Sequence, residues 1–333
     1  MSLVKQLEAT TRKYHDRELR KAIVWKNYFW LKLFKRSRTL SGGRSFTWPI
    51  EMGDGEGIQW ITDYSILNRI PSETITQAEL DWVFGNRAVT LSKQEVSKNS
   101  GKEAIVNLLS KKMAYTTRRM QKSLSDAIWV GAGGMQPTGI STGTLTAPTA
   151  GGAIATTPAA TEYAGITRGT EDVATGQACD SDNWWSNSST DCGGALTQDK
   201  MEEAYLDVCQ GSESPSLIVT DKVGFRMFYN IATPIQREPH SDVAKLGFKS
   251  ISFNGIPIIW DDGCPGKNTD RRVYFFNLEN GIELNWLSGW KMKREPWHKP
   301  EDQHALVTDI SMGFVFAVTN PRHQIVWHTI TGE

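Results

Sequence analysis

The sequence is short of the features on which most enzyme chemistry depends. Four cysteines among 333 residues (Cys179, Cys192, Cys209 and Cys264) are too few for a disulfide scaffold, and none forms a Cys-x-x-Cys pair. No histidine lies near them in sequence, so a zinc site has no support. Cys179 and Cys192 flank a Trp/Ser/Asn loop and could pair if oxidised, but free thiols in a reducing cytosol are the expectation. The six histidines are scattered and lack His-Glu-x-x-His spacing. His323 and His328 fall five apart in one expected strand, hence on opposite faces. There is no Gly-x-Ser-x-Gly elbow and no phosphate-binding loop. The glycines around Gly131–Gly134 do not join a strand to a helix, so they form no dinucleotide fingerprint. No metal, cofactor or catalytic set is expected from this inventory.

Long apolar runs and net charge are missing too. No stretch of about 18 uncharged apolar residues exists, so no helix is expected to span a membrane. Lys5, Glu8, Arg12, Lys13 and Asp16 interrupt any apolar core of a signal peptide. A soluble chain, cytosolic when made, is the expectation. Lys+Arg and Asp+Glu are each 37, which makes the whole molecule no obvious polyanion binder. What the chain has in excess is tryptophan, 13 residues in all. Large aromatics dominate contact surfaces, so this enrichment points to extensive packing, including packing between chains. At 22% charged and 39% hydrophobic residues the composition is globular.

The neutral total hides an uneven spread. Residues 1–44 carry twelve Lys/Arg against three acidic residues, a net of +9 that leaves −9 for the remainder. Arg12, Lys13, Arg17, Arg20, Lys21, Lys35, Arg36 and Arg38 belong to this segment, and Leu19, Ile23, Trp30 and Phe34 recur loosely at helical spacing. Two readings stand: a solvated helix surface, or a basic arm that meets a polyanion or an acidic neighbour.

Residues 45–98 look different. Phe46–Ile50, Gly57–Ile61 and Ala88–Val96 have strand character, yet the whole excursion holds little that could close a core of its own. Such a segment is expected to fold against something else, and Trp48, Trp60, Tyr64, Trp82 and Lys93 are its candidate contact residues. Lys102–Val130 then reads as one long helix, with Ile105, Leu108, Leu109, Met113, Met120, Leu124 and Ile128 on one stripe and Gly131 beyond its end. Residues 131–196 are rich in Gly, Thr, Ala and Ser without a regular pattern. Helices are expected over Thr197–Cys209, with Thr197 as cap, and from Asp221 to Tyr229, with a strand at Ser216–Thr220 between them. Six further strands (Ser250–Trp260, Arg272–Asn277, Ile282–Trp286, Ala305–Ile310, Phe314–Val318 and Gln324–Ile330) predict an antiparallel sheet carrying the long helix.

Two stretches invite a sharper reading. In IIWDDGCPG the apolar run ends in adjacent carboxylates, Asp261 and Asp262. Neighbouring residues of an extended chain point to opposite faces, and Asp-Gly and Pro-Gly form turns, so a strand exit is favoured over a metal or acid/base site. Trp184-Trp185 in DNWWSNSS could stack on a sugar, as in a carbohydrate-binding or adhesin module. Loop or inter-chain packing is the favoured use, because Trp is enriched throughout.

The order of parts resembles the major capsid proteins of tailed bacteriophages with the HK97 fold, an α+β architecture, over essentially the whole chain. TQAELDW (76–82) followed by Val89–Val96 is similar to the returning strand of that family's extended loop, and NSGKEAIVNLLSKK to the start of its spine helix. YAGITR (163–168) and LGFKSISFNGIPIIWDD followed by VYFFNLENGIEL resemble segments of one siphovirus-type subgroup. The resemblance implies an N-terminal arm (1–44), an extended loop (45–98), a spine helix (99–132), an axial domain (133–280), peripheral strands (281–312) and C-terminal strands returning to the axial domain (313–333). It also implies a structural, non-enzymatic icosahedral shell around double-stranded DNA. Copies would join as pentamers and hexamers, with portal and scaffolding proteins as partners, and would assemble in the host bacterial cytoplasm. Some relatives weld subunits by a Lys–Asn bond. Lys93 and Lys98 are the lysines of the loop, but residues 302–309 hold no Asn, so a covalent weld is not expected. A separate scaffold is expected, since the chain starts close to the arm. An encapsulin-type compartment of the same fold is the alternative.

Overall fold

The computed structural model describes residues 28–51, 60–64, 75–98, 108–158, 161–168, 185–209, 213–231, 251–266, 270–300 and 304–331. Helix α1 (Tyr28–Arg36) opens this part and turns at once into strand β1 (Arg38–Leu40). Strands β2 (Ser45–Glu51) and β3 (Ile75–Asp81) pair antiparallel as a two-stranded ribbon, Ser45 opposite Asp81 and Glu51 opposite Ile75. After β4 (Val83–Ser92) come helices α2 (Lys93–Lys98) and α3 (Leu108–Val130). Two small hairpins follow, β5 (Thr142–Gly143) with β6 (Pro148–Thr149) and β7 (Glu162–Tyr163) with β8 (Ile166–Thr167). The remainder is β9 (Ser188–Gly194), α4 (Gln198–Val208), β10 (Leu217–Thr220), α5 (Lys222–Ile231), β11 (Ile251–Phe253), β12 (Ile256–Trp260), β13 (Arg271–Phe276), β14 (Ile282–Leu287), β15 (Lys293–Arg294), β16 (Ala305–Val318) and β17 (Gln324–Ile330).

The strands build two main sheets where one was expected. One runs β1-β14-β16-β15, with β4 paired along ten residues of β16. The other runs β11-β12-β10-β13-β17-β9. Both are mixed, since β1 with β14, β10 with β12 and β17 with β9 are parallel. The chain crosses between sheets at β13–β14 and again at β16–β17, where a short turn of 3₁₀ helix (Pro321–His323) intervenes.

Alternation decides where the cores lie. In β13, Val273 and Phe275 face α4 and α5 in one cluster, while Tyr274 and Phe276 face the other way into a larger one. That larger cluster also takes Leu284, Trp286, Phe314 and Phe316 from the five-stranded sheet. It is therefore the joint between the two sheets. Helix α3 presents Leu124 and Ile128 to it and sets Met120, two turns from Ile128, against Val89 and Ile310. The helix ends at Val130, and the next residue, Gly131, has no room for a side chain, because a Cβ there would lie 2.0 Å from the Pro137 carbonyl oxygen.

Several expectations are corrected. The expected strand at 250–260 is a hairpin: Asn254 and Gly255 both have positive φ, 48° and 79°, the signature of a tight two-residue turn. The expected strands at 305–310 and 314–318 are one strand, bridged by β4. The strand expected through Val96 ends at Ser92. There Glu95 accepts a hydrogen bond from the Ser92 amide and Ser92 Oγ accepts one from the Gln94 amide, a capping arrangement that starts α2. Within the loop assigned to 45–98, Ala78, Val89 and Leu91 are buried in the chain's own cores or sheet, and 83–92 belongs to the five-stranded sheet. The β2–β3 ribbon packs on the core as well, through Ala78 and the half-buried Trp48, Ile50 and Leu80, so among the described residues of this segment the stretch that stands clear is 60–64. The cap at Thr197 is borne out, its hydroxyl accepting from the Lys200 amide.

Candidate functional site

The residues expected to carry chemistry are tied into structure. Asp261 is buried and accepts from the Gly263 amide at 2.7 Å and from Trp129 Nε1 at 3.2 Å. Asp262 points to solvent and pairs with Lys222 at 3.1 Å, both side chains largely exposed. The two carboxylates do not converge, and the strand-exit reading holds. Asp261→Ala should destabilise the fold by roughly 1–3 kcal/mol, because it strands two buried donors. Asp262→Ala should cost about 0–1 kcal/mol. Paired urea titrations check both. Among the described residues, no group of three or more His, Cys, Asp or Glu could hold a metal ion.

Buried titratable groups are silenced rather than tuned. Burial pushes the Cys192 thiol up to about 11 and the Tyr163 phenol up to about 12, the latter against the bond its hydroxyl accepts from the Val318 amide. Burial lowers the Arg168 guanidinium to about 10, so it stays charged at neutral pH. Arg168 donates to the carbonyls of Gly152 and Ala153 and lies 5.0 Å from the Tyr163 ring centre. It ties down the Gly/Ala-rich stretch that showed no pattern in sequence. Arg272 does the same for β5–β6, donating to Ser141 Oγ, to the Pro148 and Thr149 carbonyls and to Asp270. Trp185 is buried, stacks on Tyr163 and donates to its carbonyl, which supports packing over a sugar platform. Cys179 and Trp184 lie outside the described residues, as does any pairing of Cys179 with Cys192.

His323 is the histidine that responds. Desolvation lowers its pKa, the Glu213 carboxylate opposes this and Arg322 adds to it. Its Nδ1 is buried without a hydrogen-bond partner among the described residues. A depressed folded-state pKa means that the unfolded chain takes up the proton first. Stability should therefore be intact above about pH 6.5 and fall as pH drops below it. His323→Gln should flatten that acid limb in melts recorded between neutral and mildly acidic pH.

The candidate contact residues divide sharply. Arg12, Lys13, Arg17, Arg20 and Lys21 lie outside the described residues. Lys35, Arg36 and Arg38 are exposed, with Arg36 donating to the Glu279 carbonyl at 3.0 Å and Arg38 3.7 Å from Glu283. Trp48, expected between copies, is engaged by its own chain. It donates to the Thr319 carbonyl at 3.2 Å and packs 6.3 Å from Trp185. Trp82 is half-buried, and Lys93 is exposed with its amide donating to the His304 carbonyl. Trp60 and Tyr64 stand apart, 89% and 98% exposed, with Ile61 and Ile75 also exposed. Solvated polar surface would be the ordinary content of such a position, whereas these are the side chains that gain most from being covered.

One functional part was missed in the sequence. The end of the basic segment is core: Phe29, Trp30 and Leu33 are at most 3% exposed, and Phe29 packs 5.0 Å from Trp129 and 5.1 Å from Phe276. The density of apolar residues in YFWLKLF was the available signal.

These parts together (a long helix on a five-stranded sheet, a second mixed sheet flanked by helices, and a separate two-stranded β-ribbon) define the HK97 capsid fold. The chain aligns with the cyanophage A-1(L) capsid asymmetric unit at TM-score 0.70 and 15% identity, covering 96% of each chain. It aligns with the capsid of a native GTA particle at 0.61 and 11%, covering 95% of this chain and 96% of that one. The holo-SrpI encapsulin of Synechococcus elongatus PCC 7942 matches at 0.58 and 12%, covering 99% and 96%. No protein-family model matches the sequence, and no curated protein matches it either.

Proposed function

We propose that this chain is a major capsid protein, a non-enzymatic subunit that self-assembles through pentamers and hexamers into the icosahedral head of a bacteriophage around double-stranded DNA. The observation that carries the reading is the ribbon. Its paired strands are bonded and packed into their own subunit, through Trp48 to Thr319, the Glu79 amide to the Ala164 carbonyl and buried Ala78, while Trp60 and Tyr64 in the segment between them are left almost wholly exposed. A feature of that kind is completed by another copy, and repeated symmetric copies close a shell. The fold shared with phage capsids over nearly the full chain supports the same reading.

In this assignment the five-stranded sheet with α3 is the peripheral domain and the six-stranded sheet with α4 and α5 the axial domain. Residues before α1 are the arm, and the ribbon is the extended loop. Portal and scaffolding proteins are the further partners, and assembly takes place in the host bacterial cytoplasm. Electron microscopy of the purified protein, alone and with its scaffold, should show closed shells. A protein that stays monomeric at every concentration and ionic strength would refute the proposal. The second reading, a nanocompartment holding protein cargo, is favoured by the encapsulin match. Nuclease-protected DNA inside native particles would decide against it.

A further inference from the structure

We propose that the outer stripe of α3, made by Lys111, Arg118 and Lys122, is a contact surface for the phosphate backbone of double-stranded DNA. The proposal rests on the capsid reading and assigns the lining of the container.

The stripe follows from helix geometry. Positions 111, 115, 118 and 122 fall within a narrow arc of an α-helix, opposite the arc that holds Met120, Leu124 and Ile128 against the sheets. Lys111 is exposed, Arg118 and Lys122 are half-exposed, and Tyr115 is 48% exposed. Arg119 lies over the Tyr115 ring at 5.5 Å and donates to its hydroxyl, which props a fourth cation beside the row. Among the described residues, no ion pair engages Lys111, Arg118 or Lys122. The one acidic residue of α3 is Asp126, one turn beyond the end of the row. Helix α2 adjoins α3 through Lys112. Its Glu95 is buried and satisfied by Lys112 at 2.8 Å, so it subtracts nothing from the surface, while Lys93 and Lys98 are exposed.

Two features favour DNA over an acidic protein. Protein interfaces need a desolvated apolar centre depleted of charge, and Tyr115 is the only large apolar side chain exposed on this row. DNA asks for the reverse, spaced cations without an apolar anchor. From residue 111 to residue 122 the stripe runs about 16 Å, which spans roughly five base pairs. The stripe is separate in sequence from the basic arm, so a variant of the stripe leaves the arm's residues unchanged.

The experiment is a titration of the full-length protein with a short DNA duplex across a series of salt concentrations, comparing the parent with K111Q/R118Q/K122Q. Each phosphate contact contributes about 0.9 to the slope of log K against log salt, so the triple variant should lower that slope by about three. Its melting temperature and its shells in electron micrographs should be unchanged, since none of the three side chains is buried. An unchanged slope overturns the proposal. Tighter binding of polyglutamate than of duplex, lost in the same variant, also overturns it and identifies an acidic protein partner. Failure of the parent protein to form shells would defeat the capsid reading instead, and the duplex slope would still report on the stripe.

Discussion

Replacing Trp60 and Tyr64 together with alanine is expected to abolish shell formation while leaving the protomer as stable as the parent. In the single subunit the two side chains are 89% and 98% exposed, so their removal costs the fold almost nothing. In an assembled particle they would be the buried aromatic anchors of a contact repeated at every subunit. Anchors of this type contribute on the order of 2 kcal/mol or more each when truncated. Together that weakens a single contact by about a thousandfold. In the proposed shell each subunit would both give and receive this segment, which would multiply the loss. Sedimentation of the variant should show protomers or small oligomers, with an unaltered melting curve. Normal shells from the double variant would mean that the ribbon is not an assembly element.

Trp129→Ala should have the largest effect on the protomer itself, a loss of about 3–5 kcal/mol. Trp129 is fully buried at the joint between the sheets, and its ring meets Phe29, Tyr274 and Phe276 at centroid distances of 5.0, 5.5 and 6.1 Å. Its Nε1 also holds the Asp261 carboxylate that closes the exit of β12. Alanine would open a cavity among α1, α3 and β13 and strand a carboxylate within it. Denaturant titration should show the drop in midpoint, and α1 should lose amide protection first because Phe29 loses one of the two rings it packs against. A loss below about 1 kcal/mol would mean that α1 is not integral to the joint.

The sequence made some elements easy to read and hid others for definite reasons. Helix α3 was legible through its stripe and its terminal glycine, and α4 through Thr197. The Asn254-Gly255 turn and the Ser92-x-x-Glu95 cap were present as short local signals, but the first sits inside a longer apolar run and the second inside an apolar/polar alternation, each of which suits a continuous strand. The division into two sheets was not legible, because β13 and β17 are apolar on both faces and alternation alone cannot say which neighbour each face meets. Nothing local in the sequence marks Arg168 and Arg272 as buried. Only the fold brings the carbonyls of Gly152, Ala153, Pro148 and Thr149 around them.

The candidate contact surface was legible in part for a related reason. Trp48, Trp60, Tyr64 and Trp82 are alike in sequence, all aromatic residues in a polar excursion. What separates them is distance from the subunit's own core. Trp48 lies within the paired ribbon, on the core, and reaches Thr319, whereas Trp60 and Tyr64 lie beyond the paired strands. The segment 45–98 was read as one loop because β4 alternates like an edge strand. Its ten-residue pairing with β16 is a non-local match that no short window contains.

Attaching a photoreactive side chain at position 60 and irradiating assembled particles tests the central claim most directly. Covalent bonds from that position to a second copy of the chain, seen as a ladder of multimers on a denaturing gel and mapped by mass spectrometry, are the expected result. Bonds confined to the same chain, from particles otherwise intact, would show that the ribbon folds back on its own subunit and would contradict the account.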